Sequence, residues 1–319
     1  MKLAAIDCGT NTVLMLVAEW HPGERPRLRR VADFMEMPRL GQGLDATGHL
    51  QPEAMQRALT ALQRQRERAE QAGAERIVAI ATESVRAAKN SAEFLSAAAA
   101  APVGVSLRVI GGDEEARLSF RSVVESLQPA AATADDAAWC SVVDIGGGST
   151  ELIVGQGASL HAHRSVPIGS VRLSERLIHH DPPTASEHAA LITTIDAAIS
   201  ELPIARGPLV ALAGTATSVA ALQLGDRMPS YDGDLVDGLQ LPCSTLEAWV
   251  QRLSRLSVEQ RRQLPGLDPR RADVIYPGAT ILWRIALRAG VDRLTISDRG
   301  VRWGALEECI DALTADASR

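Results

Sequence analysis

The stretch VVDIGGGSTELIVG, Val142–Gly155, decides how this chain folds. An apolar run ends in Asp144; Gly146, Gly147 and Gly148 follow, then Ser149 and Thr150, then Glu151 and a second apolar run. Apolar flanks around a short, polar, glycine-rich tip predict two strands joined in a β-hairpin. The design recurs near the start. AAIDCGTNTVLMLVA (Ala4–Ala18) aligns without gaps on SVVDIGGGSTELIVG (Ser141–Gly155), 137 positions on. Asp7 falls on Asp144, Gly9 on Gly146, Thr12 on Ser149, and Leu16-Val17 on Ile153-Val154. Two such hairpins so far apart predict two similar lobes.

Outward from the hairpins, helical and strand patterns alternate. Pro52 to Ala72 predicts a helix with Ala54, Ala58, Ala61 and Leu62 on one side. RIVAIAT (Arg76–Thr82) and VSLRVIGG (Val105–Gly112) predict strands, with a helix from Ser91 to Ala101 between them, ended by Pro102. A helix starts at Asp113, whose acids suit a helix N-terminus. In the second half, Ser186 to Leu202 predicts a helix and PLVALAGTATSVAAL (Pro208–Leu222) a strand, a Gly-Thr turn and a helix. Ala272 to Ala289 predicts a helix leading into the strand RLTISD, and a last helix lies near Gly304 to Leu313. Strands alternating with helices mean an α/β fold. The expected division is 1–128 for the first lobe, 129–137 for a linker rich in Ala and Asp, and 138–303 for the second lobe; the last helix, about 304–319, packs back on the first lobe.

Composition narrows the function. The chain has 319 residues, 46% apolar and 23% charged, as a soluble globular protein does. A net charge of −6 argues against nonspecific nucleic-acid binding, and 3% aromatics against base-stacking platforms. Cys8, Cys140, Cys243 and Cys309 form neither a zinc spacing nor a disulfide framework. Met1 to Trp20 carries a Lys and an apolar run, but Asp7 interrupts it, and no stretch is long enough to cross a membrane. A cytoplasmic location is the expectation. His161, His163, His179, His180 and His188 lack zinc-like spacing. RPRLRR (Arg25–Arg30) and RRQLPGLDPRR (Arg261–Arg271) read as solvated faces, with a polyanion track as the alternative.

Three segments run an apolar strand into Gly plus hydroxyls: DCGTNT, DIGGGST and AGTATS. Glycines let backbone N–H groups approach an anion, and a helix N-terminus favours phosphate. Together they point to a polyphosphorylated ligand clamped between lobes. Asp7 and Asp144 beside phosphates imply a divalent cation, or else caps of their own turns. Glu114 and Glu115, after Gly111-Gly112, read either as helix-dipole partners or as a general base for water. Glu151 stands where its repeat partner is Leu14, out of the apolar pattern, which favours a functional role.

These motifs, with ATESVRAAKNSAEFL, VIGGDEEARLSF, SVPIGSVRLSER, LAGTATSVAAL and SDRGVRWGAL, occur in the order found in the exopolyphosphatase / guanosine pentaphosphate phosphohydrolase (Ppx/GppA) family, which the chain resembles over nearly its whole length. The resemblance implies two ribonuclease-H-like lobes of the actin-like/Hsp70-like/sugar-kinase superfamily, with an interlobe cleft. It implies hydrolysis of terminal phosphoanhydrides of inorganic polyphosphate, or of guanosine pentaphosphate to tetraphosphate, a step of stringent-response signalling. By the resemblance Asp144, aided by Asp7, holds Mg²⁺ or Mn²⁺; Glu115 is the catalytic glutamate, with Glu114 as the alternative; Glu151 orients or activates the water; Arg86 binds the phosphoryl group. Gly9, Thr10, Asn11, Thr12, Gly146, Gly147, Gly148, Ser149, Gly214 and Thr215 form the phosphate cradle. A homodimer is expected on the same ground.

The chain departs from the family's pattern at Thr10 and Thr12, where many members have Ser, and at Trp303, where many have Glu. The further C-terminal helical domain of longer members is not expected here, nor is their grip on long polymers. Two other readings stay open: a small-molecule kinase of the same superfamily, and a noncatalytic sensor of guanosine tetra- or pentaphosphate.

Overall fold

The computed structural model describes residues 1–24, 27–127 and 139–317. In chain order the elements are β1 (Lys2–Cys8), β2 (Val13–Trp20), β3 (Leu28–Glu36), α1 (Leu44–Thr47), α2 (Pro52–Gln71), β4 (Arg76–Ala81), α3 (Glu83–Ala87), α4 (Ser91–Ala99), β5 (Arg108–Val109) and α5 (Gly112–Leu127). There follow β6 (Trp139–Ile145), β7 (Thr150–Gln156), β8 (Ser159–Val166), α6 (Ser170–Leu177), α7 (Ala185–Ile199), β9 (Leu209–Leu212), α8 (Ala213–Leu224), α9 (Gly233–Val236), β10 (Gln240–Pro242), α10 (Cys243–Leu253), α11 (Val258–Arg262), α12 (Ile275–Ala289), β11 (Arg293–Ile296) and α13 (Val301–Ala317).

The chain divides into two units, Met1–Ala132 with Gly300–Arg319, and Thr133–Arg299. The linker expected at 129–137 lies outside the described residues. Each unit is built on a mixed sheet. In the first the order is β3-β2-β1-β4-β5; in the second, read from β8, it is β8-β7-β6-β9-β11-β10. In both, an antiparallel hairpin leads to a third antiparallel strand on one side and to parallel strands on the other. The fold is therefore α/β with the same five-strand plan twice, the second sheet adding the antiparallel edge strand β10.

Strand β1 reads LAAI because both its faces are covered. Ala4, Ile6 and Cys8 pack toward α2 and α4 with Ala58, Leu62 and Phe94. Leu3 and Ala5 pack toward α13 with Trp303, Leu306 and Ile310. Gly304 makes the close approach of α13 to α5 feasible: a Cβ there would sit 2.1 Å from the Leu118 carbonyl oxygen. Arg302 pairs with Asp33 at 2.6 Å, and Glu307 pairs with Arg27, so α13 is tied to β3 and the turn before it by charge as well as by packing. Trp303, at the position that departs from the family, is a core residue, 2% exposed. The second unit has one large core, with Val143, Leu152, Leu191, Val219, Tyr276 and Ile281 among its members.

Three expectations change. The strand expected over Val105–Gly112 shrinks to Arg108–Val109, because its parallel partner β4 reaches it only at Ile80 and Ala81. Among the described residues of RPRLRR the solvated face is only partial: Arg29 is exposed and pairs with Glu24, whereas Leu28 is buried at the start of β3 and Arg27 pairs with Glu307 and Asp311. RRQLPGLDPRR is not a solvated face throughout either. Arg261 is 1% exposed, donates to the carbonyls of Leu253 and Ala272, and lies over the Tyr276 ring.

Candidate active site

The two hairpin tips have the same construction. In the first unit Gly9 N–H donates to the Thr12 carbonyl at 2.9 Å; in the second Gly146 N–H donates to the Ser149 carbonyl at 3.0 Å. These two amides close the turns, so the N–H groups of Gly9 and Gly146 are engaged within their own tips.

The remaining tip carbonyls are held from behind. Gly41 N–H donates to the Thr10 carbonyl at 2.8 Å and Arg39 N–H to the Asn11 carbonyl at 3.1 Å. In the second unit Ser170 N–H donates to the Gly146 carbonyl, and Val171 and Arg172 N–H to the Gly147 carbonyl, all at 3.0 Å. A trans peptide sets its N–H opposite its C=O. With the carbonyls pulled back, the N–H groups of Asn11 and Thr12, and of Gly147 and Gly148, point the other way. Those amides can meet an anion. The approach is close enough to demand glycine. A Cβ on Gly169 would lie 2.4 Å from the Gly147 carbonyl carbon and oxygen, and one on Gly41 would lie 2.3 Å from Thr10 Cγ2. Arg39, beside Gly41, holds a left-handed φ of 55°.

In the second unit Asp144 ends the β6 face and lies opposite Glu151 on β7. Directly opposed residues share a face and are close neighbours. Glu151 is 4% exposed and accepts a 2.6 Å hydrogen bond from Ser165 Oγ. Asp144 also stands beside Leu212, the last residue of β9. The chain there turns sharply into α8 through Ala213, which has a φ of 65°. The first turn of a helix has free N–H groups, so Gly214 and Thr215 place such donors at the end of the sheet that carries Asp144. Gly214 is also where Arg271 lies: a Cβ on Gly214 would be 2.2 Å from the guanidinium. Burial lowers the pKa of Arg271, with Asp268 and Tyr231 acting the other way. The sequence reading has Arg271 in a stretch with a polyanion track as its alternative, but nothing in DPRR points to a glycine so far back. The Thr215 side chain turns inward, 4% exposed and packed on Gly278, so that residue offers its backbone rather than its hydroxyl.

In the first unit Asp7 is half-buried at the end of β1, opposite Leu14. Thr10 Oγ1 donates to Glu83 at 3.1 Å, an acid the sequence did not single out. The Cys8 thiol is pushed up by burial first and by the Asp7 charge second, which leaves it unreactive. Arg86 on α3 donates to the Ile110 carbonyl at 2.8 Å and pairs with Glu115 at 3.1 Å. Glu114 faces elsewhere: it pairs with Arg108, and lies 3.9 Å from Arg117. Both arginines also reach Glu308 on α13. The structure thus brings Glu115 and Arg86 together and separates Glu114 from them. Among the described residues no three or more His, Cys, Asp or Glu side chains form a group that could hold a metal ion by themselves, the five histidines included. His180 instead pairs with Glu187, and His188 with Tyr276 at 2.5 Å.

Strand-end acids, glycine tips with outward amides and a helix N-terminus beside an arginine are features of an α/β protein suited to phosphate groups. The chain belongs to the Ppx/GppA phosphatase family, whose pattern it matches over residues 17–312. It is 38% identical to exopolyphosphatase 2 of Mycobacterium tuberculosis over 314 residues, covering 94% of this chain and 96% of that one. It is similar to the crystal structure of the Aquifex aeolicus Ppx/GppA family member, with 30% identity, 98% of each chain covered and a TM-score of 0.80. The fold is also that of an exopolyphosphatase from Cytophaga hutchinsonii, at 22% identity, 98% of each chain covered and a TM-score of 0.85. No helix among the described residues is long and apolar enough to cross a membrane.

Proposed function

We propose that this phosphatase hydrolyses terminal phosphoanhydride bonds of inorganic polyphosphate and releases orthophosphate. The observation that carries the reading is the Asp144–Glu151 pair beside a glycine tip whose Gly147 and Gly148 amides face outward. A buried acid next to an anion-binding loop suits water activation and not binding alone. The mycobacterial relative at 38% identity, named as an exopolyphosphatase, supports polyphosphate as the substrate.

Each group then has a role. The amides of Gly147, Gly148 and the first turn of α8 hold phosphate oxygens, and Arg271 adds a cation there; in the first unit the amides of Asn11 and Thr12 suit the same task. Glu151 orients or deprotonates the attacking water. Glu115 is the second candidate base, and Arg86, which holds it, binds the phosphoryl group. A net charge of −6 and two opposed carboxylates make a bare polyanion unwelcome. A divalent cation such as Mg²⁺ fits this donor set, since Mg²⁺ is commonly held by one or two carboxylates together with phosphate oxygens and waters. Asp144, opposite Glu151, would hold it, and it would neutralise charge on the phosphoryl group. Phosphoryl transfer asks mainly for such positioning and neutralisation.

Phosphate release by the pure protein with Mg²⁺ tests the reading, run in parallel on long-chain polyphosphate, tripolyphosphate, guanosine pentaphosphate and ATP. Steady release from polyphosphate with little from ATP is expected. Preference for guanosine pentaphosphate would move the role to nucleotide signalling. Silence on all four would overturn hydrolysis and leave the kinase and sensor readings.

A further inference from the structure

Comparison of the two sheets isolates one more residue. In the first unit the row across three strands is Asp7 on β1, Leu14 on β2 and Met35 on β3. In the second unit the row at the same place is Asp144 on β6, Glu151 on β7 and Ser165 on β8. The acid and the hydroxyl occur together, where the other copy has two apolar side chains. Ser165 Oγ donates to Glu151 Oε1 at 2.6 Å, on a carboxylate that is otherwise buried. Ser165 itself is exposed at the surface of β8.

We propose that Ser165 is a positioning residue for Glu151. Its hydroxyl fixes one carboxylate oxygen and with it the direction in which the carboxylate is presented. The physical need follows from the neighbourhood. Asp144 lies directly across from Glu151, and two like-charged side chains repel. That repulsion favours a swing of Glu151 away from Asp144, toward β8. A hydrogen bond from that strand, in register, fixes where the swing ends. A β-strand suits the task, since its register sets the donor's place more firmly than a loop would. The inference rests on the reading of Glu151 as a catalytic residue.

The test compares Ser165→Ala, Ser165→Thr and Glu151→Gln with the parent chain, by steady-state phosphate release from long-chain polyphosphate with Mg²⁺ and by thermal melting. Ser165→Ala should lower kcat about tenfold, the scale of one hydrogen bond to a charged group, with KM within about twofold and melting unchanged. Ser165→Thr, which keeps the hydroxyl and suits a strand, should recover most of the rate. Parent-like kcat in Ser165→Ala would overturn the proposal, and so would a loss carried wholly by KM or one that Thr does not restore. The two levels of failure are separable. If Glu151→Gln abolishes turnover while Ser165→Ala does not lower it, only the role of Ser165 falls. If Glu151→Gln turns over like the parent, the assignment of Glu151 falls and the role of Ser165 with it.

Discussion

At the residue scale, the acids after Gly111-Gly112 show how far identity alone goes. Glu114 and Glu115 are chemically equal and adjacent, and both suit the first turn of α5. One helical step turns them about 100° apart, from the 3.6-residue period, so they meet different partners. Glu114 meets Arg108 and Arg117, which also bind Glu308; Glu115 meets Arg86. Glu115→Gln should therefore lower kcat by about 10² or more, the usual share of a general base. Glu114→Gln should keep kcat within about twofold and lower stability by no more than about 1 kcal/mol, as expected for ion pairs near a surface. Steady-state rates and melting of the two variants check this, and the reverse pattern would exchange their roles.

At the element scale, the turns work because another element presses on them. The start of α6 donates three N–H groups to the carbonyls of Gly146 and Gly147, which leaves the far side of those peptides for an anion. Gly169 is the point of contact. Gly169→Ala would set a methyl group 2.4 Å from the Gly147 backbone, where no flexible side chain can give way. The variant should lose about 1–3 kcal/mol, the range for overpacking. It should also lose affinity for phosphate, because α6 can retreat only by releasing the tip. Denaturant melts and a phosphate titration measure both, and a variant stable and tight as the parent would refute the backing role. The motif SVPIGS was visible in the sequence, but its contact with a tip some twenty residues earlier was not.

At the scale of the whole molecule, the pH response of stability comes from a few carboxylates. Glu187 is held below the usual range by hydrogen bonds from His180 and from the Thr184 and His179 backbone. Asp268 and Asp311 also lie low: burial works against them, but Arg270 holds the first down, and Arg121 and Arg27 the second. Glu307 goes the other way, pushed up by burial, with Arg27 and Arg121 opposing the shift. A depressed acid binds protons in the unfolded chain first, so its stabilisation is full above the ordinary carboxylate pKa, about 4, and is lost as pH falls below that. With Glu187, Asp268 and Asp311 all depressed, melting temperature should fall as pH drops below about 4. Glu187→Gln should melt below the parent at neutral pH, and the gap should close in acid. A gap that stays constant with pH would show that Glu187 contributes only as a helix cap.

Much was legible before any coordinates. The repeated Asp-x-Gly tips, the helix from Pro52, the strand-turn-helix at Pro208–Leu222 and the family itself depend on residues within a few positions of one another: apolar period, glycine and hydroxyl at a turn, acids at a helix start. Such signals are local, and local chemistry is written along the chain. Tertiary structure alone decided that Glu115 rather than Glu114 meets Arg86. It alone set Arg271 on Gly214 and Glu83 on Thr10, turned Thr215 inward, and made Asp144, Glu151 and Ser165 one row. Those pairings depend on strand register and helix phase across tens of residues. A shift of one position would send every side chain of a strand to the other face, and no short stretch of sequence carries that information.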